Sequence, residues 1–283
     1  MLICYDIEVD NTQSKKEELL YDTGNIEGKL KEIIKTQAID GKEVAIIDHK
    51  ELLDNWFPDT GCHIFMSHSH KDEDIAINIA NNLYRKYGIK TFIDSKFWGY
   101  VDKAISDINH LHSRCDNDST YLDYKRSMRV ASNFYIVLVN ALTDGIFKSD
   151  SCWFINTDNS LNANDHSGEG TYSPWLYTEM NYTSTVRRTP HPERPIIAQE
   201  SAGMAMDAVN GSEDLFKSFS RDFAIRFASN KEHMKKVSNQ KLNEIIFGEN
   251  SLIDGRHFDK EEPFSNLDFI YDQFGPSDNK LNG

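Results

Sequence analysis

The sequence predicts an α/β protein, a parallel β-sheet with helices on both faces. Two patterns carry that prediction. From His63 onward, short apolar strands alternate with amphipathic helices, and a polar loop follows each strand. This rhythm marks crossover connections, which join parallel neighbours and lay a helix across the sheet. A length of 283 residues suits one large domain or one domain with substantial additions.

The elements follow in order. Leu2 to Val9 and Glu43 to Ile47 read as short strands, and Lys15 to Thr36 as helical segments interrupted near Gly24. Asp59-Thr60-Gly61 is a turn. HIFM, from His63 to Met66, is the first strand of the repeating pattern, and the loop Ser67-His68-Ser69-His70-Lys71-Asp72 runs into a helix. On that helix Ile75, Ile79 and Leu83 share one face. Tyr87-Gly88 stops it, and KTFID, from Lys90 to Asp94, is the second strand. An aromatic loop, Asp94 to Tyr100, precedes a helix from about Val101 to His112, a hydrophilic loop around Cys115 to Ser119 and a long helical stretch from about Leu122 to Phe147. CWFIN, from Cys152 to Asn156, is the third strand, and a polar loop from Thr157 to Gly170 leads to a helix beginning near Pro174. RPIIAQ, from Arg194 to Gln199, reads as the fourth strand. Beyond Gly203 the chain reads as mainly helical, with Leu215, Phe219 and Phe223 spaced by four.

Composition removes several classes of function. With 45 Asp and Glu against 31 Lys and Arg, the formal charge is −14, and no basic stripe offsets it for a nucleic-acid partner. The longest uninterrupted apolar run, Phe134 to Val139, is far short of the roughly 20 residues of a membrane span. Acidic residues in MLICYDIEVD stand where a signal peptide would place a basic region, so a cytoplasmic location is expected. Cys4, Cys62, Cys115 and Cys152 are scattered without a Cys-x-x-Cys pair and read as buried free thiols.

Ligands of such sheets bind beyond the carboxyl ends of the strands. Three loops there hold unusual residues. The first is Ser67 to Asp72, the second Asp94-Ser95-Lys96-Phe97-Trp98-Gly99-Tyr100, and the third leads into Ser173-Pro174-Trp175-Leu176-Tyr177-Thr178-Glu179. Taken with DNWFPDTG and FINTDNS, these segments resemble a bacterial TIR (Toll/interleukin-1 receptor) domain of the NAD-consuming, phage-defence type, over roughly residues 52 to 200. The resemblance implies a flavodoxin-like TIR fold over 62–204, with an N-terminal extension over 1–61 and a mainly helical C-terminal addition over 205–283. It implies Glu179 as the catalytic carboxylate. Ser67, His68, Ser69, His70, Asp94, Phe97, Trp98 and Trp175 would then bind the substrate. NAD would be a substrate rather than a cofactor, and no metal is called for. Its implied partners are further copies of the chain, through TIR surfaces, and an effector that responds to the nucleotide product. The chain departs from a compact TIR domain in its long segment between the second and third strands and in both extensions.

Cleavage at the nicotinamide-ribosyl bond suits one carboxylate. The leaving ring departs neutral from a cationic parent, so it needs no general acid. A carboxylate near the ribose stabilises the oxocarbenium-like transition state more than the ground state. Helical spacing puts Trp175 one turn before Glu179 on the same face, where it would form an aromatic wall. Plainer roles stay open. Trp175 suits packing, Glu179 a solvated face, and Phe97, Trp98 and Tyr100 suit either packing or self-association. Ser69 and Asp72 have the spacing of a helix cap. Lys71 and Lys96 are candidate counter-charges for a pyrophosphate. His68 and His70 form a His-x-His pair without further ligands nearby. His110 and His112 lie about 200° apart on a helix and read as surface residues. Two other functions compete: a non-catalytic TIR interaction module, and a nucleoside deoxyribosyltransferase-like enzyme.

Overall fold

The computed structural model describes residues 1–21, 34–39, 42–56, 61–93, 95–161, 170–195, 226–248 and 258–275. At its centre is a five-stranded sheet in the order β5-β4-β6-β1-β9. The strands are β1 (Ile3–Glu8), β4 (Ile64–Ser67), β5 (Thr91–Ile93), β6 (Ser151–Asn156) and β9 (Lys235–Val237), and every pairing is parallel. Two antiparallel pairs lie outside it. One joins β2 (Ile34–Ile39) to β3 (Lys42–Ile47), and the other joins β7 (Gly170–Thr171) to β8 (Phe227–Ala228).

The described helices are α1 (His49–Trp56), α2 (Glu73–Tyr87), α3 (Ser95–His112), α4 (Tyr124–Lys148), α5 (Pro174–Thr185), α6 (Asn239–Leu242) and α7 (Pro263–Phe274). Strand alternation sorts the core into two layers. Tyr5, Ile7, Ile64, Met66, Trp153 and Ile155 pack with α2, α7 and the π-turn Asn243–Phe247. Cys4, Phe65, Cys152 and Phe154 point the other way and meet Leu142 and Ile146 of α4 and Leu176 and Met180 of α5. Helices therefore cover both faces. A third cluster joins Leu52 of α1 to Ala104 and Ile108 of α3 and Phe134 and Leu138 of α4.

Local chemistry explains where elements begin and stop. Ile75, Ile79 and Leu83 are buried as their spacing predicts. Gly88 ends α2 at φ +68, and a Cβ there would stand 2.1 Å from the Lys260 carbonyl oxygen, so both conformation and space require glycine. Asp123 caps α4 by accepting from the Arg126 amide, and Ser173 caps α5 by accepting from the Leu176 amide with Pro174 in the first turn. At the opposite end of the sheet from the strand carboxyl ends, Asp150 accepts from Arg194 at 2.8 and 3.0 Å and from Tyr271 at 2.9 Å. Arg194 also holds Asp268, so this network pins α7 to the start of β6.

Several sequence expectations change. Lys15 to Tyr21 is not helical, and Thr36 lies in β2. The Asn81 side chain of α2 takes over the backbone bonding there, accepting from the Leu20 amide at 3.0 Å and donating to the Glu18 carbonyl at 2.9 Å. Residues 95–100, expected as a loop, are the first turns of α3. Ile3–Glu8, read from the sequence as part of an extension, is an inner strand of the central sheet, and Lys235–Val237 adds a strand to a segment expected to be mainly helical. Among the described residues one helix, α4, is long and apolar enough to cross a membrane by length and composition, although its apolar runs are interrupted. In the fold it lies against α3 and α5. The fourth strand expected at Arg194 to Gln199 is non-strand through Pro195 and otherwise lies outside the described residues, as do Leu215, Phe219 and Phe223.

Candidate active site

The carboxyl end of β4 meets α5 through one side-chain pair. Ser67, the last residue of β4, donates its hydroxyl to the Glu179 carboxylate at Oε2. Both residues are about 1% exposed. Glu179 faces inward because it follows the buried Leu176 by three positions and precedes the buried Thr183 by four. It lies close enough to Cys152 of β6 for its charge to help push that thiol's pKa up.

The sheet register extends this site sideways. Ser67 of β4 and Asp6 of β1 are both partners of Phe154 on β6, so the three form one row near the carboxyl ends of adjacent strands. At the far end, the Lys231 ammonium lies 3.0 Å from Asp6 Oδ2 and 5.9 Å from the centre of the Phe154 ring. A carboxylate with a hydroxyl thus stands on one side of a buried aromatic ring, and a carboxylate with an ammonium on the other. The segment carrying Lys231 is tied across α5 by the β7–β8 pairing and by Phe227 stacking on Tyr177 at 4.8 Å.

The loops beyond the strands are joined to one another. Asp72, buried, accepts from Thr157 Oγ1 at 2.5 Å and from Asn159 Nδ2 at 2.7 Å, so the loop after β4 is clamped to the loop after β6. Asp72 is used in this clamp, and the cap expected from Ser69 to Asp72 does not form. Ser69 makes no side-chain cap bond, and its carbonyl accepts from the Asp72 amide at 2.7 Å.

The structure therefore brings Ser67 and Glu179 together and distributes the other expected residues. His68 is buried with Nδ1 3.2 Å from the Met66 carbonyl oxygen, Ser69 is half-buried, and His70 and Lys71 are exposed. Trp175 is half-buried against the α4-α5 layer and the third cluster, with its ring 5.9 Å from Tyr135. Asp94 lies outside the described residues, as do the side chains of Lys96, Phe97, Trp98 and Tyr100. Among the described residues no group of three or more His, Cys, Asp or Glu is placed to hold a metal ion. Asp6, Lys231, Phe154 and the Asp72 clamp were missed. Lys231 lies in a segment without a recognisable motif, but an Asp at an inward position of an apolar strand was a usable signal. The chain has no significant match among protein-family profiles, curated proteins or solved structures.

Proposed function

We propose that the chain is a bacterial TIR-type enzyme with a flavodoxin-like core, which cleaves NAD at the nicotinamide-ribosyl bond with Glu179 as the catalytic carboxylate. The observation that carries this reading is the buried Ser67–Glu179 pair at the carboxyl end of β4. Two motifs distant in sequence, the Ser-His loop and the Trp-x-x-x-Glu helix start, meet where an open parallel sheet binds its ligands. A buried carboxylate acts in low dielectric, where its stabilisation of an oxocarbenium-like centre exceeds what the same group offers in water. The Ser67 hydroxyl orients Glu179 before substrate arrives. The acceptor is water, giving ADP-ribose, or a hydroxyl, giving a cyclic or conjugated product. In the cytoplasm of an infected cell either outcome would serve anti-phage defence, by NAD depletion or by a signal to an effector.

Because Glu179 and Ser67 are so deeply buried, a substrate reaches them only after α5 or the segment bearing Lys231 moves. Activity should therefore depend on assembly or a trigger. The same burial favours the second reading, a TIR interaction module without turnover. Mass spectrometry of products formed from NAD by concentrated, assembled protein separates the two. Nicotinamide release that is lost in Glu179→Gln, with the circular dichroism spectrum unchanged, is the expected result. Equal release by that variant would remove Glu179 from the mechanism, and an assembled wild type that leaves NAD intact would favour the interaction module.

A further inference from the structure

Cys4 and Cys152 stand far apart in the chain and side by side in the sheet. They are register partners in the β1–β6 ladder, so their Cα atoms are one strand spacing apart, about 4.8 Å. Disulfides span Cα separations of about 4.4–6.8 Å when the side chains lie on the same side. That condition is met, because both belong to the layer under α4 and α5.

The surroundings differentiate the two sulfurs. Arg188 Nη1 donates to Cys4 Sγ at 3.2 Å, while Arg188 Nη2 is fixed by the Thr183 carbonyl at 3.0 Å. His233, with its Nε2 2.9 Å from Thr183 Oγ1, stands close enough to Cys4 to affect its titration. Burial would raise the Cys4 pKa, but the neighbouring Cys152 and His233 side chains and the Arg188 charge hold it well below the usual thiol range. Cys152 is pushed well up by its bond to Cys4, by burial and by the charges of Cys4 and Glu179. The Arg188 guanidinium against Cys4 therefore favours negative charge on that sulfur over its neighbour.

We propose that Cys4 and Cys152 form a peroxide-sensitive redox site, in which Cys4 is oxidised first and Cys152 resolves it to a reversible intramolecular disulfide. The Cys4 thiolate sulfur attacks one oxygen of hydrogen peroxide, the O–O bond breaks, and the departing hydroxide takes a proton to leave as water. Cys4 is then a sulfenic acid. Cys152 gives up its proton and attacks that sulfur, the S–O bond breaks, and a second water leaves. Two thiols lose two electrons, and one peroxide is reduced to two waters. The site does not depend on any activity of Glu179, although the bond would form two residue pairs below Phe154 in the ladder and clamp β1 to β6 beneath α5.

The test uses the full chain in its native state, treated with a small molar excess of hydrogen peroxide, quenched with acid, denatured, alkylated and mapped by mass spectrometry. Cys115, the most exposed of the four cysteines, is the internal control. A linked Cys4–Cys152 peptide lighter by two hydrogens, formed before Cys115 is oxidised and reversed by dithiothreitol, is the expected result. Recovery of both residues as separately alkylated thiols after Cys115 has reacted would overturn the proposal. In Cys152→Ser, a dimedone adduct should accumulate on Cys4, whereas Cys4→Ser should leave Cys152 without one. The reverse pattern would overturn the assigned order of attack, and if either variant fails to fold, the wild-type map alone decides.

Discussion

Acid should destabilise this protein through one buried imidazole, His63, and the size of the effect follows from its surroundings. His63 immediately precedes β4, is 6% exposed, and packs edge-on against Phe264 at 5.0 Å with His191 at 5.9 Å. Its Nδ1 accepts the Lys90 amide at 3.0 Å, so the neutral tautomer carries its proton on Nε2. Burial first, and then the neighbouring His191, lower its pKa from 6.5 to about 4, against a smaller opposing contribution from Asp150. The folded-state value lies below the unfolded one, so the folded protein binds the proton more weakly. The stabilisation is complete above about pH 6.5 and is lost as the pH falls toward 4. At 1.36 kcal/mol per pH unit the whole interval is worth about 3 kcal/mol. Urea unfolding of wild type and of His63→Asn, which keeps an acceptor for the Lys90 amide, should be compared between pH 7 and 4. The stability difference between them should move by about 3 kcal/mol in favour of the variant as the pH falls. Acid-sensitive groups remote from His63 cancel in that difference. Parallel curves would show that His63 titrates normally and would refute the argument from burial.

Other substitutions test the site and its supports. Ser67→Ala removes a donor to a buried carboxylate and should lower unfolding free energy by about 1–3 kcal/mol, measured by urea denaturation. Asp72→Ala breaks both bonds of the loop clamp, which should cost about 2–4 kcal/mol and make the chain after Thr157 a faster target in limited proteolysis, while Asp72→Asn should show a smaller effect. Gly88→Ala should cost more than about 1 kcal/mol, because it combines a left-handed backbone with a collision against Lys260; an unchanged melting temperature would show that the α2 terminus rearranges freely.

What the sequence made legible was local. The spacing of Ile75, Ile79 and Leu83, the apolar runs of β4, β5 and β6, and the Ser173-Pro174 start of α5 each act over a few residues, and each stands close to its predicted place. Ser67 and Glu179 were each singled out through the TIR resemblance, but the hydrogen bond between them was not expected. Long-range pairings were not legible. The Asp6–Lys231 ion pair and the Cys4–Cys152 contact depend on β1 lying between β6 and β9, and nothing within Ile3–Glu8 names those partners. Local propensity also lost to tertiary bonding at Lys15 to Tyr21, where Asn81 offers the backbone an alternative to a helix, and at Asp72, whose carboxylate serves another loop in place of a cap.

The position of β1 also governs how the protein assembles. Its two neighbours, Ser151–Asn156 and Lys235–Val237, are synthesised long after it, so the middle of the sheet closes late in translation. Pairings of such high sequence separation fold slowly, and until β9 arrives β1 presents a bare strand edge. A chain interrupted before Lys235 would leave that edge open to a second molecule, so the short strand Lys235–Val237 protects the protein from self-association at its own core.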